Sequence, residues 1–333
     1  MSQQNMSVLG SRDGNGGERA TAFVEARGMR KHYSGFTLQD VSFSVEPGQV
    51  VGFIGQNGSG KSTTIKALLG LIKLDAGGAT VLGAPSSELT SGTAAEVNEE
   101  IGVVFDTVSL PNYLKVRDVA KLMARAYCSW DAQVFEGYAR RFELDDDKEV
   151  KELSRGMGMK LSLACALSHH PLLLVLDEAT AGLDPLARED VLDMLRDFVA
   201  VEDAAGNPQH AILMSSHITS DLEKIADEII CIDNGAIVFA CPKDEITDMM
   251  GIARCRTSEV EALVESGVFG AVGSDAPRVL RHDYGVDVLV PDRFAFAQAA
   301  PDVPCDRMTI DDYMAFMLKG VVLPGVSQKG GDR

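Results

Sequence analysis

Eight consecutive residues restrict this chain more than any other part of it. Gly55-Gln56-Asn57-Gly58-Ser59-Gly60-Lys61-Ser62 fits G-x-x-x-x-G-K-[ST] and lies between two segments of different periodicity. Ahead of it, Val50-Val51-Gly52-Phe53-Ile54 is an apolar run of strand length; behind it, Thr63-Thr64-Ile65-Lys66-Ala67-Leu68-Leu69 reads as an amphipathic helix. The glycines therefore fall on a strand-to-helix turn whose free N–H groups converge on one point, which is an anion site. Gly58 and Gly60 permit backbone conformations that crowd a Cβ, and the amides of Gly55 to Thr63 can cradle a phosphate. Lys61 can reach the outer phosphate oxygens, and the Ser62 hydroxyl can ligate Mg²⁺.

Charge and composition remove several alternatives. A net charge of −18 over 333 residues speaks against a nucleic-acid binder, which needs a basic footprint, and against an anionic membrane surface. The length suits one large or two ordinary domains. Six cysteines include no C-x-x-C pair and read as reduced, packed thiols. No stretch has the apolar length of a membrane span, so no direct insertion is expected; work at a membrane would need another chain.

In chain order, residues 1–21 are polar and rich in Gly, Ser, Asn and Gln, the composition of a disordered tail. Phe23 to Gln49 is strand-like, with Val41-Ser42-Phe43-Ser44-Val45 alternating. Tyr33 is the aromatic best placed by sequence to meet a nucleotide base, although residue type alone favours an ordinary sheet tyrosine. Asp75-Ala76-Gly77-Gly78 reads as a turn, Ala79 to Gly83 as a short strand, and Ile101 to Phe105 as an apolar run ending on Asp106. Val116 to about Leu144 reads as helical, with Val119, Leu122, Met123 and Ala126 forming a stripe suited to core or subunit contact.

Ser154 precedes a helix with Leu161, Leu163, Ala164 and Leu167 on its buried face, and capping alone would explain it. Leu172 to Leu176 is a continuous apolar run of the kind a parallel strand buried on both faces produces, and it ends in Asp177-Glu178. Two carboxylates at such an edge are costly unless a cation or chemistry is there: Asp177 is placed to hold Mg²⁺ through water and Glu178 to polarise an attacking water. A further strand, Ala211 to Ser216, delivers His217 to the same edge. His169-His170 suggests no metal site.

Tyr33, Gly55 to Ser62, Leu153-Ser154-Arg155-Gly156-Met157, Leu172 to Glu178, Gly182-Leu183-Asp184 and Ser216-His217 stand in the order and spacing of a known family. Over about Phe23 to Ala240 the chain resembles the nucleotide-binding subunit of an ATP-binding cassette (ABC) transporter. The Leu-Ser-x-Gly-Met variant and the Thr309 to Met314 segment are most similar to bacterial multidrug and acetoin-type exporter ATPases. The resemblance implies that Tyr33 stacks on adenine, Gly55 to Thr63 bind the phosphates and Asp177 supports Mg²⁺. Glu178 would be the catalytic base, and His217 would hold the γ-phosphate with Lys61. Ser154 and Gly156 would reach the γ-phosphate of a second copy, with Asp184 linking the two sites. The pattern is broken where Arg155 replaces a glycine, Ala179 a frequent proline, and Asp106 a glutamine that would contact metal and water.

The expected architecture is an α/β phosphate-loop NTPase with a central mostly parallel sheet, an antiparallel β subdomain, a helical subdomain (about 106–166) and a small C-terminal α/β appendage. The expected boundaries are 22–245 for the ATPase, 246–324 for the appendage and 325–333 for a loose tail. Asn234-Gly235 marks a type I′ hairpin; Val286, Val288 and Val290 alternate as a strand, and Thr309 with Asp312 caps a last helix. The resemblance implies hydrolysis of ATP with Mg²⁺ by a homodimer that drives a separate exporting permease from the cytoplasmic face of the membrane. The rival reading is a soluble ABC-type ATPase working as a mechanical switch on nucleic acid or the ribosome, disfavoured by the acidic charge and the single phosphate loop.

Overall fold

The computed structural model describes residues 22–271, 277–283 and 285–323. The two tails expected at 1–21 and 325–333 lie outside the described residues. Three sheets organise the rest. The central one runs Ala236–Pro242, Glu228–Asp233, Val50–Ile54, Ala211–Ser215, Leu173–Asp177, Ile101–Val104, parallel throughout except for the hairpin strand Ala236–Pro242 at one edge. Every residue of Val50–Ile54, Leu173–Asp177 and Ala211–Ser215 is buried. This is why these strands read as unbroken apolar runs, each buried leucine or isoleucine contributing about 1.5–3 kcal/mol. Ser215 pairs with Phe53 on one side and Asp177 on the other, so three strands end level and their loops leave the sheet at one edge.

The second sheet, ordered Phe36–Val45, Val24–Tyr33, Ala76–Val81, Ala84–Pro85, is antiparallel. It packs its apolar face (Val24, Leu38, Val41) on Phe53 and Ile65 of the central layer. The turn expected over Asp75–Gly78 is already strand from Ala76. The Asp75 carboxylate accepts from the His32 N–H (2.7 Å) and Lys31 Nζ (3.0 Å), which ties this segment to Val24–Tyr33.

The helix expected over Val116 to Leu144 is two helices, Val116–Ala126 and Ala132–Arg141. Between them Tyr127 stacks on His169 (ring centroids 4.0 Å apart), the Glu99 carboxylate accepts from the Cys128 and Ser129 N–H groups, and Asp131 caps the second helix. A capping carboxylate and two long-range bonds outweigh the local periodicity. Only Val119 of the expected stripe is buried; Leu122 is 42% exposed. The third helix, Arg155–Leu167, packs Leu161, Leu163 and Ala164 into the main core as expected.

The hairpin turn has Asn234 at φ 46° and Gly235 at φ 79°, the I′ geometry. Beyond it, Gly285–Val290 forms a strand in a five-stranded antiparallel sheet ordered Cys305–Arg307, Gly251–Cys255, Gly285–Val290, Arg278–His282, Val321–Val322. Helix Ile310–Lys319 is closed by a reciprocal Thr309–Asp312 box. Ile246, Ile252, Met308, Ile310 and Phe316 belong to the same buried cluster as the sheet and helical segment, so this C-terminal part is welded to the core.

His169 and His210 are held neutral: burial pushes both imidazoles below their ordinary 6.5, against the opposing bonds to the Glu99 and Phe198 carbonyls. A depressed folded-state value means stability present above about pH 6.5 and lost as pH falls through the folded values. The nucleotide-free protein is therefore expected to melt at lower temperature near pH 5.5 than at pH 7.5. An unchanged midpoint would contradict this.

Candidate active site

At the sheet edge the strand Val50–Ile54 passes through the loop Gly55–Gly60 into helix Lys61–Leu68. Gly55 sits at φ 153°, and a Cβ there would press into the Ile232 carbonyl and stand 2.6 Å from Ser59 Oγ, so only glycine lets the loop fold back over the sheet. Lys61 is 5% exposed. Its ammonium donates to the Gly55 carbonyl (2.8 Å) and the Gln56 carbonyl (3.3 Å), with Glu178 Oε1 3.8 Å away. Ser59 Oγ is buried without a hydrogen-bond partner. An unpaired hydroxyl and a cation among glycine amides make a cradle for an anion.

Asp177 ends its strand buried, its Oδ1 accepting from Ser215 Oγ at 2.6 Å. Glu178 follows at φ 57°, a left-handed conformation that costs a side-chain-bearing residue roughly 1–2 kcal/mol. Its N–H is held by the Ser215 carbonyl (3.1 Å) and Ser215 Oγ (3.2 Å). The strained turn aims the carboxylate back over the sheet edge, between Lys61 and His217, whose Nδ1 bonds Glu178 Oε2 and whose N–H donates to the same oxygen at 3.3 Å. Ser215 thus holds the Asp177 carboxylate and the backbone of Glu178.

Lys61, Glu178 and His217 line an open cleft of about 1100 Å³, together with Gly35, Phe36, Gln56, Asn57, Gly58, Gly60, Ser62, Thr63 and Asp106, whereas Ser59, Asp177 and Ser215 are buried and outside its lining. The cleft has the size and the mixed polar wall of a nucleotide site. Tyr33 stays outside its lining, 40% exposed, with Lys31 Nζ 5.6 Å from its ring centroid; Phe36 stands in the wall instead. Ser154, Gly156 and Asp184 are also absent from the wall of their own chain's cleft. Ser154 Oγ caps its helix by accepting from Met157 N–H at 3.3 Å. A Cβ on Gly156 would stand 3.1 Å from the Gly182 carbonyl. Asp184 Oδ1 accepts from the Ala187 and Leu186 N–H groups, and these backbone donors, Ala187 foremost, hold its carboxyl below the usual range.

Besides Phe36, the sequence does not assign Arg155, Met314 or Ser215 to the site. Arg155 and Met314 are in the cleft wall, and Ser215 organises it. Arg155 had a signal, since it breaks the Gly-Gly pattern; Ser215 was legible only as a strand residue, and Met314 only as the last residue of the Thr309 to Met314 segment, with nothing local to place it at the cleft. Buried Cys165 and Cys231 have thiols pushed up to about 12 by burial, which leaves them inert, and the cysteines are unpaired. No cluster of three His, Cys, Asp or Glu suited to a metal occurs among the described residues.

A parallel sheet with a phosphate loop, a strand-end Asp-Glu pair and a histidine at one edge defines a phosphate-loop ATPase. Comparison with known proteins gives the family. Residues 38–181 match the family model described as ABC transporter. Nod factor export ATP-binding protein I of Ralstonia nicotianae is 34% identical over 239 residues, which is 70% of this chain and 71% of that protein. The ABC transporter ATP-binding protein YtrB of Bacillus subtilis is 29% identical over 68% of this chain and 74% of its own. Among solved structures, the ATP-binding subunit of an ABC transporter superposes with a TM-score of 0.58 at 27% identity, covering 67% of this chain and 91% of the other. A dimeric ATP-binding cassette bound to ADP and Pi shares the fold, with a TM-score of 0.57 at 19% identity over 66% and 98% of the two chains. The chain belongs to the ATP-binding subunits of ABC transporters, and it is an ATPase.

Proposed function

We propose that this subunit hydrolyses ATP to drive a separate membrane permease that exports its substrate, working from the cytoplasmic face of the membrane. The convergence of Lys61, Glu178 and His217 on one cleft carries the reading of turnover. Export is supported by the Nod factor export proteins among its relatives. A separate permease is supported by the lack, among the described residues, of any helix long and apolar enough to cross a membrane. Half-exposed Leu122 and the surface near Asp106 are where the permease would dock.

In this reading Gly55 to Thr63 bind the phosphates, Lys61 neutralises the outer oxygens, Glu178 takes the proton of the attacking water, and His217 holds the γ-phosphate. Tyr33 remains the proposed base-stacking residue. The donors present suit Mg²⁺: a hydroxyl from Ser62 and carboxylates from Asp177 and Asp106 are hard oxygen ligands, and with no three-ligand cluster of their own they leave positions for phosphate oxygens and water. Bound Mg²⁺ would neutralise charge on the phosphates.

Ser154, Gly156 and Asp184, outside their own chain's cleft, are free to complete the site of a second copy, so each site needs both subunits. Glu178→Gln with ATP and Mg²⁺ is expected to double in mass by light scattering and to remain a monomer without nucleotide. A monomer under every condition would overturn the homodimer. The permease is tested in cells: the tagged chain should co-purify with an integral membrane protein, and Lys61→Ala should keep that association. Recovery in the soluble fraction without such a partner would favour the rival soluble switch.

A further inference from the structure

The C-terminal sheet and its helices play no part in the chemistry above, yet one of those helices reaches the cleft. Helix Ile310–Lys319 places Met314 in the cleft wall. One turn on, on the same face, Leu318 and then Lys319 line a second hollow of about 250 Å³ against the outside of the phosphate loop, Gln56 to Ser59, and the Asp233-Asn234 turn. The helix is held firmly: Ile310 and Phe316 are buried, and Tyr313 packs edge-on to Phe239 with ring centroids 4.6 Å apart. At its start the Ile310 N–H donates to Glu223 Oε1 at 2.9 Å. Glu223 lies on helix Thr219–Ile225, which opens just beyond His217. At its other end the chain passes through Gly320 into Val321–Val322, an edge strand of the C-terminal sheet paired with Arg278 and Val279.

We propose that helix Ile310–Lys319 positions the phosphate loop, with Met314 and Leu318 as positioning residues, so that the C-terminal sheet helps set the affinity for ATP. Lys61 holds the base of the loop at Gly55 and Gln56, but its tip is open: Gly58 lies at φ 82° and a Cβ there would meet nothing within 4 Å. A wall held by the core stands across the hollow from the loop and would limit how far the loop can swing before nucleotide arrives, which lowers the ordering cost of binding. Glu178 and His217 make their recorded hydrogen bonds without this helix, so its effect falls on binding and leaves the chemical step alone.

The inference rests on the nucleotide-site reading, and the experiment separates the two. In the full chain with ATP and Mg²⁺, Met314→Ala is expected to raise Kd and KM about fivefold with kcat little changed, the size of one lost apolar contact. Met314→Leu, of similar apolar bulk, should recover most of that loss. Glu223→Ala, which frees the helix start from outside the cleft, should shift KM in the same direction, and Glu223→Gln should restore it. Glu223→Ala also serves if Met314→Ala does not fold, folding being checked by nucleotide-free melting. Parent-like KM in the folded variants, or a fall in kcat at constant KM, would overturn the proposal. If Lys61→Ala still binds ATP less well than the parent, only this inference fails; if Lys61→Ala binds like the parent, the nucleotide-site reading fails with it.

Discussion

Glu178→Gln should bind ATP and lose hydrolysis by about 10²–10⁴-fold, the range that loss of a positioned general base produces. The substitution is nearly isosteric. Glutamine keeps an oxygen that can accept from the His217 N–H, and the bonds that the residue 178 N–H donates to the Ser215 carbonyl and Oγ, which hold its left-handed turn, involve no side-chain atom of residue 178. What disappears is the carboxylate that can take a proton, a group needed in the transition state and not in the ground state, so binding survives while turnover does not. The sign of the binding change also follows. With one negative charge fewer beside Lys61, phosphate oxygens meet less repulsion, and affinity should hold or tighten. Phosphate release and equilibrium nucleotide binding, measured separately, test both parts. Parent-like steady-state hydrolysis would remove Glu178 from the role of base.

Lys61→Ala has the opposite signature. Its ammonium is almost fully buried and already bonded to two loop carbonyls, so it holds the shape of the loop as well as presenting charge to the ligand. Losing a charged hydrogen bond of about 1.5–3 kcal/mol corresponds to roughly 10- to 100-fold weaker ATP binding. The rise in melting temperature that ATP and Mg²⁺ produce in the parent should then shrink or vanish at the same nucleotide concentration. A parent-like rise in Lys61→Ala would show that the lysine is not a phosphate ligand. The two variants together separate binding from chemistry.

What the sequence by itself determined lies within a few residues of its cause. The phosphate loop is legible because glycine freedom, a strand before it and a helix after it are properties of neighbours. Ser154 and Thr309 cap helices through N–H groups three residues ahead, and Asn234-Gly235 turns a hairpin on its own backbone preferences. The buried strand Leu173–Asp177 shows itself as an unbroken apolar run. The helix break at Tyr127–Asp131 escaped notice because part of its cause, Glu99 and His169, lies about 30 to 40 residues away along the chain.

Only the tertiary structure decided which side chains meet. Asp177 and Ser215 are 38 residues apart and touch because two parallel strands pair in one register; a slip of one residue would turn Ser215 to the other face and leave Asp177 buried without its donor. Phe36 enters the cleft wall while Tyr33, three residues earlier in the same hairpin, does not. Met314 reaches the cleft because the C-terminal helix is packed through Ile310 and Phe316 onto the core. The physical reason is common to all three. Local preferences depend on the backbone and its near neighbours, whereas register and docking minimise exposed apolar area over the whole molecule, and that sum exists only once the chain has folded.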